Sequence, residues 1–330
     1  MERIRLGAVG SGGMAAGRMQ AFAKLEGCEW VALAARNPQT GPPLAQRYEV
    51  DLHADWRELV AREDVDAVLI FTHNESHGPI AIAALEAGKH VFAEYPLARH
   101  MEEGQRLVEL AETSGCVLRM SHGEPLSSTQ RQLEREVGEL GPLLMGLFVR
   151  LTPGRGARPE ILFNLNTSGP PALFFVYQVY SLVDLFGPAA WVESHAEYVG
   201  LNEDGAYQCF VNTVTVGFVR GGLHQWTWAG GIEIKEAEQF QRLVLGGGTL
   251  LQQNGRWCRS TSGGLEEIQP GVGDARTLET LFLEEVRGEE TGWREDVQRA
   301  FDAMQIGLAA ERSVQEDRRI TLSVRTEERL

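Results

Sequence analysis

At 330 residues, with 43% hydrophobic and 23% charged side chains, the chain has globular composition and exceeds one ordinary core, which predicts two domains. Its formal charge of −15 sets up a field that repels polyanions, so neither nucleic acid nor an anionic membrane is an expected partner.

Ile4 to Val9 is a β-rich run, followed by Gly10-Ser11-Gly12-Gly13-Met14-Ala15 and a helical pattern through Met19, Phe22 and Leu25. The first strand begins almost at once, so no signal peptide is expected. Trp30 to Ala34 reads as a second strand, with a helix around Leu44 to Tyr48. Ala67 to Phe71 is a third, leading into a helix near Ile80 to Ala87 that Gly88 closes. His90 to Ala93, a helix from Met101 to Thr113, and Val117 to Met120 complete the series. Strands alternating with helices of this length predict an α/β Rossmann domain, a doubly wound parallel sheet, over residues 1–122.

From residue 123 to 330 the rhythm changes. Strand-like runs follow one another: Leu143 to Leu151, Trp191 to Tyr198, Gln208 to Phe218, Leu223 to Trp228, Phe240 to Leu245 and Thr249 to Gln252. Helices are expected around Phe174 to Leu185, Thr277 to Val286 and Arg294 to Ser313. This predicts an α+β domain with a large, mostly antiparallel open sheet. The apolar stretch Pro171 to Gly187 carries Gln178 and Asp184, is short for a bilayer span, and reads as a buried helix. Cys28, Cys116, Cys209 and Cys258 form no Cys-x-x-Cys pair, which predicts reduced thiols in a cytoplasmic protein and no metal site. Gly246-Gly247-Gly248 reads as a hairpin turn, and Glu284 to Glu295 as a solvated face.

The glycine loop has the context a dinucleotide site requires, strand before and helix after. Gly10 permits the tight turn, Gly12 a close backbone approach to a pyrophosphate, and Ala15 close helix–strand packing, while Ser11, Gly13 and Met14 open the helix. At the end of the second strand an NAD enzyme carries an acid for the ribose; here stands Ala35-Arg36-Asn37. Arg36 can pair with a 2′-phosphate, which predicts NADP, with NAD the alternative.

Phe71-Thr72-His73-Asn74-Glu75-Ser76-His77, then Ala84-Leu85-Glu86-Ala87-Gly88-Lys89-His90-Val91 and Glu94-Tyr95-Pro96-Leu97, resemble the glucose–fructose oxidoreductase / inositol dehydrogenase (Gfo/Idh/MocA) family. The resemblance extends to Arg294-Glu295-Asp296, Ala309 to Ser313 and the strand Arg319 to Leu322, and implies an NAD(P)-dependent oxidoreductase. It implies that Thr72, His73, Asn74, Glu94 and Pro96 line the nicotinamide half of the cofactor site. His77 joins that set or is a packing residue at a helix start.

Sugar dehydrogenases of the family use the lysine of Glu-Lys-Pro with an Asp and a His on the long helix of the second domain. Here the lysine position is Tyr95, and the helix offers Leu173, Tyr177 and Tyr180. The family's biliverdin reductase branch is similar in Glu94-Tyr95-Pro96, in His122-Gly123-Glu124 and in Asp184 to Gly187, but its helix arginine is replaced by Gln178 and Ser181. Arg119, Arg150, Arg155 and Arg158 are candidates for that missing cation.

Hydride transfer is the cofactor's chemistry, so the protein must manage one proton. Tyr95, His122, Glu124 and Tyr177 are the candidate catalytic groups, and a phenol with a pKa near 10 is an acid at neutral pH, which favours reduction. Tyr180 reads first as a core aromatic. Trp226 and Trp228 share one strand face and read as a homodimer or homotetramer interface before a floor for a planar substrate. The leading expectation is an NADP-dependent reductase of a planar, conjugated small molecule. A sugar or small-carbonyl dehydrogenase with a non-standard acid–base set stands second, and a catalytically silent NAD(P)-binding sensor third.

Overall fold

The computed structural model describes residues 3–154, 159–253, 255–289 and 291–323. The chain begins with β1 (Ile4–Val9), α1 (Gly13–Phe22), β2 (Cys28–Ala34), α2 (Gly41–Tyr48), β3 (Asp51–His53) and α3 (Trp56–Val60). It continues with β4 (Ala67–Ile70), α4 (Asn74–Glu86), β5 (His90–Ala93), α5 (Met101–Thr113) and β6 (Leu118–Met120). These six strands are all parallel, in the order β3-β2-β1-β4-β5-β6 of a dinucleotide-binding fold. Every residue of β4 is buried, as a strand covered by helices on both faces must be. The strand order reverses between β1 and β4, and ligands of such sheets bind outside the carboxyl ends of the strands at that point.

Beyond β6 come α6 (Ser128–Leu140), β7 (Leu143–Pro153), α7 (Pro159–Leu162), α8 (Pro171–Phe174), α9 (Val176–Phe186), β8 (Ala189–Val199), β9 (Cys209–Phe218) and β10 (Leu223–Ile232). Then follow β11 (Glu238–Leu245), β12 (Gly248–Gln253), β13 (Arg256–Thr261), β14 (Gly264–Glu267), α10 (Leu278–Val286), α11 (Trp293–Glu316) and β15 (Ile320–Thr321). The nine-stranded sheet has the order β14-β13-β12-β11-β7-β10-β9-β8-β15 and is antiparallel except for β7 beside β10. Gly246 and Gly247 form the two-residue turn between β11 and β12, where Leu245 faces Gly248.

The chain divides into two compact units, Met1–Gly123 with Arg276–Phe301, and Glu124–Ala275 with Asp302–Leu330. In the second unit one face of the sheet is packed. Trp226 and Trp228 are fully buried there, stacked at 6.0 Å, and Trp228 Nε1 donates to Gln178 Oε1 on α9 at 2.6 Å. The interface expected at these two tryptophans is therefore corrected: the chain's own aromatics and helix cover them. The opposite face carries Met145, Val211, Leu223 and Phe240, each more than 40% exposed. Among the described residues no helix is long and apolar enough to cross a membrane, no His/Cys/Asp/Glu cluster suits a metal, and the four cysteines are unpaired.

Candidate active site

Gly10 ends β1 with φ +112°, and a Cβ there would lie 2.3 Å from the Phe71 carbonyl oxygen, so no other residue fits this turn. Gly12 caps α1 without any side-chain hydrogen bond to the first turn, while Gly13 and Met14 stand exposed and Ala15 is fully buried against the sheet. The helix thus presents its amide groups and positive dipole end at the strand reversal, a cradle suited to a pyrophosphate. Beyond β2, Ala35 is half-buried and Arg36 and Asn37 are exposed. Ser11 Oγ lies 2.7 Å from Thr40 Oγ1, so the loop is tied to the segment that carries Arg36. Thr40 was not singled out in the sequence, because its pairing depends on the fold rather than on a local motif.

Thr72 follows β4, His73 is the exposed N-cap of α4, and Asn74 is its first residue. His77 is buried one turn further on, with Nδ1 3.0 Å from the Pro96 carbonyl and Nε2 3.2 Å from the Thr72 carbonyl. Burial pushes its pKa down. The imidazole therefore ties the Thr72 turn to the Glu94-Tyr95-Pro96 segment, whose Tyr95–Pro96 peptide is cis. Glu94 is buried, with one carboxylate oxygen accepting from Arg18 Nε at 2.9 Å and the other from Ser121 Oγ. Tyr95 stacks on the buried His122 ring at 5.2 Å and 19°. The first unit thus brings the glycine loop, the Thr72 turn, Glu94 to Pro96 and His122 to one carboxyl edge of the parallel sheet.

Glu124 and Tyr177 belong to the second unit. Burial pushes the Tyr177 phenol above its ordinary value, Arg150 opposes this and Glu124 reinforces it. Gln178 Nε2 is 3.4 Å from the Tyr177 oxygen, and Tyr180 is fully buried as a core aromatic. Ser181 Oγ donates to Gln130 Oε1 at 2.7 Å, so the two helix positions that replace arginine are occupied by internal hydrogen bonding. Of the candidate cations, Arg119 is corrected: it is buried and paired with Glu285 and Asp296 in the first unit. Glu285 correspondingly leaves the solvated face expected for Glu284 to Glu295. Arg150 donates to Gln239 Oε1 at 2.7 Å and lies within electrostatic reach of Tyr177. Arg155 and Arg158 lie outside the described residues.

Residues 4–122 match the model of an oxidoreductase family with an NAD-binding Rossmann fold, Gfo/Idh/MocA. A glycosyl hydrolase family 109 protein of Shewanella pealeana is 34% identical over 123 residues, 34% of this chain and 27% of that protein. Levoglucosan dehydrogenase of Pseudarthrobacter phenanthrenivorans is 32% identical over 126 residues, 36% of this chain and 32% of that enzyme. The similarity thus reaches about a third of the length of these curated relatives. Biliverdin reductase of Synechocystis sp. PCC 6803, solved with biliverdin and NADP+, has the same fold with a TM-score of 0.84 at 23% identity, covering 94% of this chain and 99% of that one. Residues 4–122 are thus similar to the NAD-binding Rossmann domain of the Gfo/Idh/MocA oxidoreductase family.

Proposed function

We propose that the protein is an NADP-dependent reductase of a planar, conjugated small molecule. The observation that carries this reading is the edge at the β1–β4 reversal: a glycine loop whose first residue, Gly10, no other residue can replace, with Arg36 and no carboxylate at the end of β2. Gly10 to Met14 would hold the pyrophosphate, Arg36 with Ser11 and Thr40 the 2′-phosphate, and Thr72, Asn74 and Pro96 the nicotinamide half. Bound NADPH supplies the hydride. The chain's own groups supply the accompanying proton, and Tyr177 is the donor best suited to it, because burial keeps its phenol protonated at neutral pH. Tyr95 and His122, stacked at the sheet edge, orient the reacting partners. The likeness in fold to a protein that holds biliverdin and NADP+ supports the planar substrate. The exposed apolar residues on the open sheet face support a homodimer or homotetramer, and the unpaired cysteines a cytoplasmic setting.

The identity to levoglucosan dehydrogenase supports a second reading, a sugar or small-carbonyl dehydrogenase with Tyr95 where the family has lysine. Mixing the protein with NADPH and biliverdin, then with a panel of sugars and ketones, and following loss of reduced-nicotinamide absorbance separates the two. Oxidation with the bilin supports the first and oxidation with carbonyl compounds alone the second. Tight NADPH binding without turnover of any substrate points instead to a sensor.

A further inference from the structure

Arg18 lies in the second turn of α1, the helix that the glycine loop opens, and only 20% of its side chain is exposed. Its Nε donates to Glu94, its NH1 donates to Glu279 in the first turn of α10, and its guanidinium sits 5.4 Å from the centre of the Phe92 ring. Two partly buried carboxylates therefore share one cation, and their attraction holds the arginine protonated despite burial. Glu94 has no oxygen left over: Arg18 takes one and Ser121 the other. The residues bracketed in this way each precede a ring of the stack at the sheet edge, Glu94 before Tyr95 and Ser121 before His122. Glu94 thus works as a strut between α1 and the two strand ends.

We infer that Arg18 is a positioning residue for the nicotinamide half of the cofactor site. Through Glu94 it fixes where the Tyr95–Pro96 segment leaves β5, and through the Glu94–Ser121 bond it sets the register of Tyr95 against His122. The turn of the pyrophosphate cradle does not rest on this contact, since Gly10 is fixed there by its own backbone geometry. The inference rests on the dinucleotide-binding reading above.

Arg18→Met in the full chain tests it by comparing two ligands. One is whichever of NADPH and NADH the wild type holds more tightly; the other is its nicotinamide-free counterpart, 2′-phospho-ADP-ribose or ADP-ribose. We expect the affinity for the complete dinucleotide to fall about tenfold and the emission change of the bound reduced ring to be lost, with the truncated ligand held within about twofold of wild type. Arg18→Lys keeps one charge but not the fork, and should recover part of the affinity and the emission change. Should Arg18→Met not fold, Arg18→Lys carries the same comparison, with the complete dinucleotide weakened severalfold and the truncated one unaffected. Equal weakening of both ligands, or no weakening of either, overturns the role of Arg18. A wild-type protein that binds neither ligand overturns the dinucleotide reading itself.

Discussion

Arg119 on β6 donates from Nε and NH2 to both oxygens of Glu285 on α10, and neither side chain has more than 4% of its surface exposed. Asp296, near the start of α11, takes the remaining NH1 at 2.7 Å. These bonds hold α10 and the first turns of α11 against the last strand of the parallel sheet, all within the first unit. Removing one partner strands a buried charge, which costs about 3–5 kcal/mol. Glu285→Gln should therefore lower the urea midpoint sharply while leaving dinucleotide affinity near wild type once folded. The double change Arg119→Met with Glu285→Leu should be milder than either single change, and additive losses would argue against a coupled pair.

Arg36 governs cofactor choice if the site reads as proposed. Its exposed position past β2 leaves the side chain available to a 2′-phosphate, and Thr40, four residues further on, pairs its hydroxyl with that of Ser11 in the glycine loop. Arg36→Glu should weaken NADPH at least about tenfold and NADH far less, because it replaces a charge-assisted partner with a like charge. Thr40→Val should weaken NADPH by a smaller factor. Titration calorimetry with both nucleotides checks this; equal losses for the two would exclude 2′-phosphate recognition at Arg36.

The parallel sheet was legible because each βαβ step carries its own turn and hydrophobic pattern, and the glycine loop because its turn demands glycine at Gly10 between a strand and a helix. The passage Ala84 to Val91 marks the family for structural reasons: Lys89 Nζ donates to the carbonyls of Arg62 and Val65, both at 2.7 Å, and His90 Nδ1 accepts from Val117 N. Helix α6 was not foreseen, since its buried face includes Gln130 and Glu136, which interrupt the apolar stripe. Those residues are satisfied by Ser181, Asp184 and Arg259, partners distant in sequence. β14 is exposed throughout and carries no alternation, so it too was invisible. The same holds for Arg18, Ser121 and Thr40, whose roles come from partners that only folding brings near.

His224 on β10 makes stability depend on acid. Its ring is fully buried, lies 4.2 Å from that of Trp226, and has its pKa pushed down to about 3 by burial. An ordinary histidine titrates near 6.5. The folded protein keeps this ring neutral, whereas the unfolded chain protonates it as pH falls below that value. The unfolded state then binds the extra proton, so stability is full above about pH 6.5 and declines by up to about 1.4 kcal/mol per unit toward pH 3. Unfolding by urea at pH 7, 6 and 5 should show a steeper loss for wild type than for His224→Leu. Parallel slopes would mean that His224 is solvated or paired in the folded state.

In the proposed reduction Tyr177 would serve as the proton donor, and its surroundings set how it should behave. Burial and Glu124 hold the phenol protonated, while Arg150 favours the phenolate and limits the upward shift. The hydroxyl is backed by Gln178, itself fixed by Trp228, so replacing the oxygen alone disturbs little of the packing. Tyr177→Phe should lower kcat at least about tenfold with the dinucleotide affinity unchanged, the pattern of an interaction used only in the transition state. Because a phenol donates only while protonated, wild-type turnover should hold through neutral pH and fall only above about pH 10, the ordinary phenol value. Arg150→Met removes the cation that favours the phenolate and should move that alkaline limb to still higher pH. Should Tyr177→Phe turn over within twofold of wild type, the proton comes from elsewhere, and the Tyr95–His122 stack is the next place to substitute.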